Sequence, residues 1–180
     1  MKKLLLHSCC APCSTAVIER LKDDFDITIF YYNPNIQPRE EYEKRLSEQK
    51  RLLGILKIPF IEGEYEEIAF EKISCGLENV KEGGARCYKC FEMRLGKTFE
   101  VAKEKGFDMF ATTLSVSPMK NAKWINEIGQ RLETDNLLFL ESDFKKKDGY
   151  KRSIELSKQF NLYRQHYCGC LFSLQKQNNN

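Results

Sequence analysis

The sequence predicts an α/β fold in a single domain, with a mainly parallel central sheet and helices on both faces. Three observations carry this. Five short runs of aliphatic, β-branched and aromatic residues alternate with longer stretches of helical periodicity. Clusters of Gly, Pro and Asn punctuate joints between them. The chain has 180 residues, 42% of them hydrophobic, which suits one core. The expected domain covers residues 1–175, and the polar residues 176–180 are expected to fray.

Residues 3–8 form an apolar run read as the first strand, followed by a helical pattern over 13–21. The β-branched and aromatic stretch 26–35 ends in the turn cluster Asn33-Pro34-Asn35. Between 40 and 57, apolar Tyr42, Leu46, Leu52, Leu53 and Leu56 fit one face of a helix. Residues 58–65, 108–117 and 137–144 read as further strands, and 87–105, 122–134 and 150–160 as helices. In parallel sheets ligands bind beyond the carboxyl ends of the strands. Cys9, Cys10 and Cys13 fall at the end of the first strand, and Ser115, Ser117 and Asp143 near the ends of two later ones.

A mean hydropathy of −0.52 and the lack of a long uncharged apolar run argue against a membrane span. The apolar run Leu4–Leu6 is too short for a signal peptide, so a cytoplasmic address is expected. In a reducing compartment, clustered thiols bind metal or do redox chemistry more often than they form disulfides. The net charge of +3 permits an acidic partner such as RNA without demanding one.

Seven of the eight cysteines are grouped: Cys9, Cys10 and Cys13; Cys87 and Cys90; Cys168 and Cys170. Residues three apart on a helix project to one side, and Gly169 lets the last pair fold tightly. Structural zinc takes four ligands and a 4Fe–4S cluster four thiolates, so seven leaves three. Those three suit a second metal with one open position, or redox work without metal. Structural zinc with leftover buried thiols is a blander account. A thioredoxin-like pair, Cys10 and Cys13, is another, made less economical by the two downstream pairs. Cys75 needs no function.

Gly96-Lys97-Thr98 mimics the tail of a phosphate-binding loop, but Phe91 stands where its first glycine belongs. His7 and His166 flank the cysteine groups as candidate ligands, proton sources or packed histidines. Lys145, Lys146, Lys147, Lys151 and Arg152 surround Tyr150, and Arg164 lies between Tyr163 and Tyr167. Cations interleaved with rings suit single-stranded nucleic acid, although such runs also occur as plain solvated faces. Lys120 and Lys123 lie beyond a strand end, on the ligand side.

The stretches LLHSCCAPCS, YNPNIQPREEYEKR, EGGARCYKCFEMRL, TTLSVSPMKNAKWINEIG, SDFKKKDGYKRSIELS and LYRQHYCGCLFS together resemble the cobalamin-independent epoxyqueuosine reductases (QueH-type). The likeness spans nearly the whole chain, and the seven grouped cysteines match the family's pattern while Cys75 does not. It implies a PP-loop/HUP-like (Rossmann-like) sheet, with HSCCAPCS in place of a pyrophosphate loop, so ATP use is not expected. It implies reduction of the epoxide of epoxyqueuosine, at the anticodon wobble position of tRNA, to the cyclopentene of queuosine. The implied cofactors are a 4Fe–4S cluster and an adjacent mononuclear iron. The implied partners are that tRNA and an external one-electron donor such as ferredoxin or flavodoxin, with no membrane.

Within that resemblance, Cys10, Cys87, Cys90 and one further cysteine are expected to hold the cluster, and the other three the second iron. Electrons are expected to pass singly through the cluster, with the epoxide oxygen at the open position of the iron. Asp143, Tyr150 and His166 are candidate catalytic groups, Asp143 as a further ligand or proton carrier. Lys120, Lys123, Arg152 and Arg164 are candidate substrate contacts. Two rival readings stand: a PP-loop-like tRNA sulfur-transfer enzyme, which should need ATP, and a non-catalytic iron–sulfur or zinc protein.

Overall fold

Five strands, β1 (Lys2–His7), β2 (Phe25–Tyr31), β3 (Phe60–Glu62), β4 (Met109–Thr112) and β5 (Leu138–Phe139), pair in parallel in the order β3-β2-β1-β4-β5. The computed structural model describes residues 1–179, with residues 176 and 177 described for their backbone alone. Leu4, Leu5 and Leu6 in β1 are all fully buried, as a strand covered on both faces requires. The all-parallel sheet with helices around it is the predicted α/β architecture, consistent with a Rossmann-like fold.

Alternation of side chains along β1 divides the core in two. Leu4 and Leu6 join Ile27, Ile29 and Ala111 against Val17, Ile18 and Leu21 of α1 (Ala11–Leu21) and Leu53 of α2 (Arg39–Leu56). Leu5 turns the other way, with Phe30 and Phe110, onto Phe91 and Leu95 of α4 (Ala85–Glu104) and Ile125 and Ile128 of α5 (Ala122–Leu132). Arg152 of α6 (Gly149–Gln159) pairs with Glu19, which ties α6 to α1. The order of the sheet reverses at β1, where α1 leaves on one side and the chain after β4 on the other. That reversal opens a crevice beyond the ends of β1 and β4.

Several boundaries differ from the predicted ones. Helix α1 begins at Ala11 rather than residue 13, because Pro12 in the first turn lacks only an N–H that would be unpaired there anyway. Strand β4 gives way to a 3₁₀ turn at Leu114–Val116. Strand β5 is short because Asn126 of α5 captures both the N–H and the C=O of Ser142, at 3.0 and 3.1 Å, and bends the chain off the sheet. Helices α3 (Glu67–Ser74) and α7 (Leu171–Asn178) are too short to show as clear periodic patterns. Helix α7 reaches into the segment expected to fray; Asn180, its last residue, lies outside the described residues. No helix among the described residues is long and apolar enough to cross a membrane.

Gly129 of α5 lies against the Phe139 ring, where an added Cβ would collide. Gly-to-Ala in a helix interior ordinarily stabilises. Here Gly129→Ala is expected to destabilise instead, by about 1–3 kcal/mol, the usual cost of overpacking. A lower urea midpoint than wild type is the check, and a higher one would contradict the packing.

Candidate metal centre

The crevice at the end of β1 holds three thiols. Cys10 is the N-cap of α1 and Cys13 lies in its first turn, so both face the positive end of the helix, where a thiolate is favoured. The sulfurs of Cys9, Cys10 and Cys13 lie within 4.8 Å of one another, and those of Cys9 and Cys10 are 3.7 Å apart. A tetrahedral ion with metal–sulfur bonds of about 2.3 Å requires sulfurs about 3.8 Å apart. Hydrogen bonds from the Cys10 and Cys13 thiols hold Cys9 well below the ordinary thiol value. Cys13 is pushed well above it by its thiol neighbours and by burial. Cys10 gains from the Cys13 thiol, yet Cys9 and burial outweigh that and raise it to about 12. Each of the three thiols is thus governed chiefly by the other two. Gln165 Nε2 donates to Cys10 Sγ at 3.0 Å.

The other four thiols surround a separate cavity of 340 Å³. Cys87 and Cys90 come from the first two turns of α4, Cys168 and Cys170 from the loop entering α7, and Arg94, Phe91 and Trp124 complete much of the wall. The Gly83 N–H donates to Cys87 Sγ at 3.2 Å. Burial is the main cause that pushes Cys90 up to about 11 and raises Cys170, with neighbouring thiols adding to it. The loop is anchored by Arg45 of α2, itself 2% exposed. Its guanidinium donates to the carbonyls of Tyr167 and Cys168, both at 3.0 Å, and to Glu41 at 2.7 Å. Tyr167 Oη donates to the Gln37 carbonyl at 2.6 Å, and the Gln37 N–H to the Gly169 carbonyl at 2.8 Å.

A second cavity, of 320 Å³, adjoins the first. Cys9, Cys13, Tyr150, Arg164, Gln165 and His166 line it, and Glu82, Met119, Lys120 and Cys168 belong to the walls of both. Lys120, Tyr150, Arg164 and His166 are thus brought to the thiols. Other sequence-derived candidates are not. Asp143 pairs with Lys145 at 2.9 Å in a different cleft, beside Arg20 and Asn126. Arg152 is engaged by Glu19 and Glu155 at 2.8 and 3.0 Å. Lys123 is exposed on α5 and lines neither thiol cavity. Cys75 is exposed at the end of α3, apart from the other seven.

His7 is a strut. Its Nε2 donates to the Tyr32 carbonyl at 2.9 Å, which leaves Nδ1 to accept from the Thr112 hydroxyl at 2.9 Å. Burial, helped by nearby Arg94, lowers it to about 4, so the ring is neutral and bridges β1 to both neighbours. The sequence reading missed Arg94, Arg45 and Gln165. Arg94 carried a signal, since it follows Cys90 by one helical turn. Arg45, between apolar positions 42 and 46, carried none.

Gly169 holds a backbone φ of +146°, with Asn35 and Ile36 atoms 3.1 Å from where a Cβ would stand. Gly169→Ala adds strain of about 1–3 kcal/mol in the loop that carries two of the four thiols. The expected result is a lower melting temperature together with weaker metal retention. Unchanged metal content after dialysis would show that the loop tolerates the side chain.

A family model described as epoxyqueuosine reductase QueH matches residues 4–176. Relatives bearing that description include one from Staphylococcus epidermidis, 45% identical, with 97% of this chain and 77% of the relative covered. One from Haemophilus influenzae is 41% identical, over 98% of this chain and 73% of the relative. One from Thermotoga maritima is 36% identical, over 97% and 91%. With a family match over nearly its whole length, the chain belongs to the epoxyqueuosine reductase QueH family.

Proposed function

We propose that this protein is an epoxyqueuosine reductase, an oxidoreductase that removes the epoxide oxygen of epoxyqueuosine in tRNA with two electrons and two protons. The observation that carries the reading is the division of seven thiols into a tight trio and a wider quartet, on adjoining cavities, in a chain of this family. The quartet Cys87, Cys90, Cys168 and Cys170 suits a 4Fe–4S cluster, whose thiolates sit on separate irons and so stand apart. The trio Cys9, Cys10 and Cys13 suits a single iron with one open position. This differs from the expectation that Cys10 joins Cys87 and Cys90, because its sulfur is grouped with those of Cys9 and Cys13. Bound there, the two groups supply single electrons and an electrophilic position for the epoxide oxygen.

The chain's own residues supply the rest. The second cavity is the substrate site in this reading, since it borders the trio and is the more polar of the two. Gln165 is oriented by its bond to Cys10 Sγ, and its Oε1 is buried without a partner, an acceptor suited to a hydroxyl of the modified base. Arg164 stands at the same wall for anionic or acceptor groups, and Tyr150 and His166 are the O–H and N–H groups there suited to delivering protons. Exposed Lys123 is a candidate phosphate contact. Arg152, held by two carboxylates, is better suited to tying α6 to α1, and Asp143 takes no part. Electrons come from an external one-electron donor of the ferredoxin or flavodoxin class.

Iron, acid-labile sulfide and zinc per chain, measured on anaerobically purified and reconstituted protein, test the cofactor reading. About five irons to four sulfides are expected. Zinc without labile sulfide would overturn it. Ala substitution at any quartet cysteine is expected to abolish labile sulfide, whereas substitution in the trio should remove about one iron and leave the sulfide in place. Cys75→Ala should change neither. Conversion of epoxyqueuosine-containing tRNA by the loaded protein with a reduced donor, read by nucleoside mass spectrometry, tests the reaction itself.

A further inference from the structure

Three arginines are buried among the described residues, Arg45, Arg86 and Arg94, and they are held differently. Arg45 has Glu41 at 2.7 Å and two backbone carbonyls. Arg94 is 2% exposed, and no carboxylate among the described residues lies within ion-pair distance of it. Its Nε reaches the Cys90 carbonyl at 3.4 Å, a long contact, and its guanidinium carbon stands 5.8 Å from the Phe91 ring centre. A buried cation without a partner is strongly disfavoured, and arginine cannot escape by losing its proton. Its counter-charge must lie in the cavity it lines. The anion-forming groups on that wall are Glu82 and the sulfurs of Cys87, Cys90, Cys168 and Cys170. Glu82 is occupied in part, accepting from the Ser173 hydroxyl at 3.3 Å.

Lys120, on the segment between β4 and α5, borders both cavities. The same thiols favour its charge as favour that of Arg94: Cys168 and Cys9 act on both, against the cost of burial. Arg86, the third cation on this wall, is already committed to the carbonyls of Leu77 and Val80 at 2.7 and 2.8 Å. Arg94 and Lys120 therefore stand as two cations on the wall of one basin of sulfur.

We propose that Arg94 and Lys120 are fixed counter-charges that raise the reduction potential of the iron–sulfur centre held by Cys87, Cys90, Cys168 and Cys170, with Arg94 the stronger. The proposal rests on the iron–sulfur reading above. Four thiolates around an iron–sulfur core form a net anion, and one more electron makes it more negative. A fixed neighbouring cation stabilises the reduced form more than the oxidised one. Burial keeps Arg94 from being screened by salt, whereas Lys120 is only half-buried and so acts more weakly. Both are positioning residues, acting on the substrate through the centre whose potential they set.

The test is an anaerobic potentiometric titration of the reconstituted full chain, read by visible absorbance and by electron paramagnetic resonance. It follows confirmation of labile sulfide in the wild type. Arg94→Met is expected to make electron uptake about tenfold less favourable, a fall of about 59 mV for a one-electron couple. Lys120→Met should shift it in the same direction by less, and Arg94→Lys should stay near wild type. A purely structural Arg94 would lower cluster occupancy and leave the potential of the remaining clusters alone. Fully loaded Arg94→Met with an unmoved or raised potential overturns the proposal. Should Arg94→Met fail to assemble, Lys120→Met decides, a lower potential supporting the proposal and an unmoved one overturning it. A wild type without labile sulfide overturns the iron–sulfur reading first, and is told apart by that measurement alone.

Discussion

Arg45 is the contact on which the geometry of the thiol quartet depends. A helix face that otherwise buries Tyr42 and Leu46 gives up a core position to a guanidinium, and Glu41 one turn earlier fixes its orientation. The return is a rigid fork that satisfies two carbonyls of a loop with little regular structure of its own. A lysine could meet the charge of Glu41 but not both carbonyls in one plane. Around that fork the other constraints fall into place: Tyr167 on Gln37, Gln37 on Gly169, and two thiols turned toward α4.

The location of the site follows from the sheet. Where strand order reverses, the N-terminus of α1 meets the crevice with unpaired N–H groups, a setting that favours negative charge of any kind. In nucleotide-binding sheets of this type that charge is phosphate. Here the thiols of Cys9, Cys10 and Cys13 are grouped at that end of the helix. An anion supplied by the protein cannot diffuse away, so compensating charge has to be built in. That is consistent with the burial of Arg45, Arg86 and Arg94 in a small domain.

The alternation of strands and helices was legible because each apolar run and each helical stripe was long enough to declare its period. The cysteine groups were legible as groups, through short spacings that local geometry translates directly into proximity. The partition between groups was not, because spacing along the chain says nothing of distance across a sheet. Cys10 was expected beside Cys87 and Cys90 and lies with Cys9 and Cys13. Asp143 followed a strand as a ligand-bearing residue would, yet Lys145, two residues on, takes its carboxylate. Arg45 and Arg94 stayed hidden because charged side chains are expected at the surface.

The quartet draws its members from widely separated parts of the chain, and that has a consequence for biogenesis. Synthesis delivers Cys87 and Cys90 well before Cys168 and Cys170, and the later pair lies in the loop that Arg45 of α2 holds in the folded protein. During that interval the nascent protein offers two thiols of the four. In a small zinc domain the ion nucleates the fold, whereas a centre that needs all four of these thiols can be completed only once the sheet and α2 have brought the two halves of the quartet together.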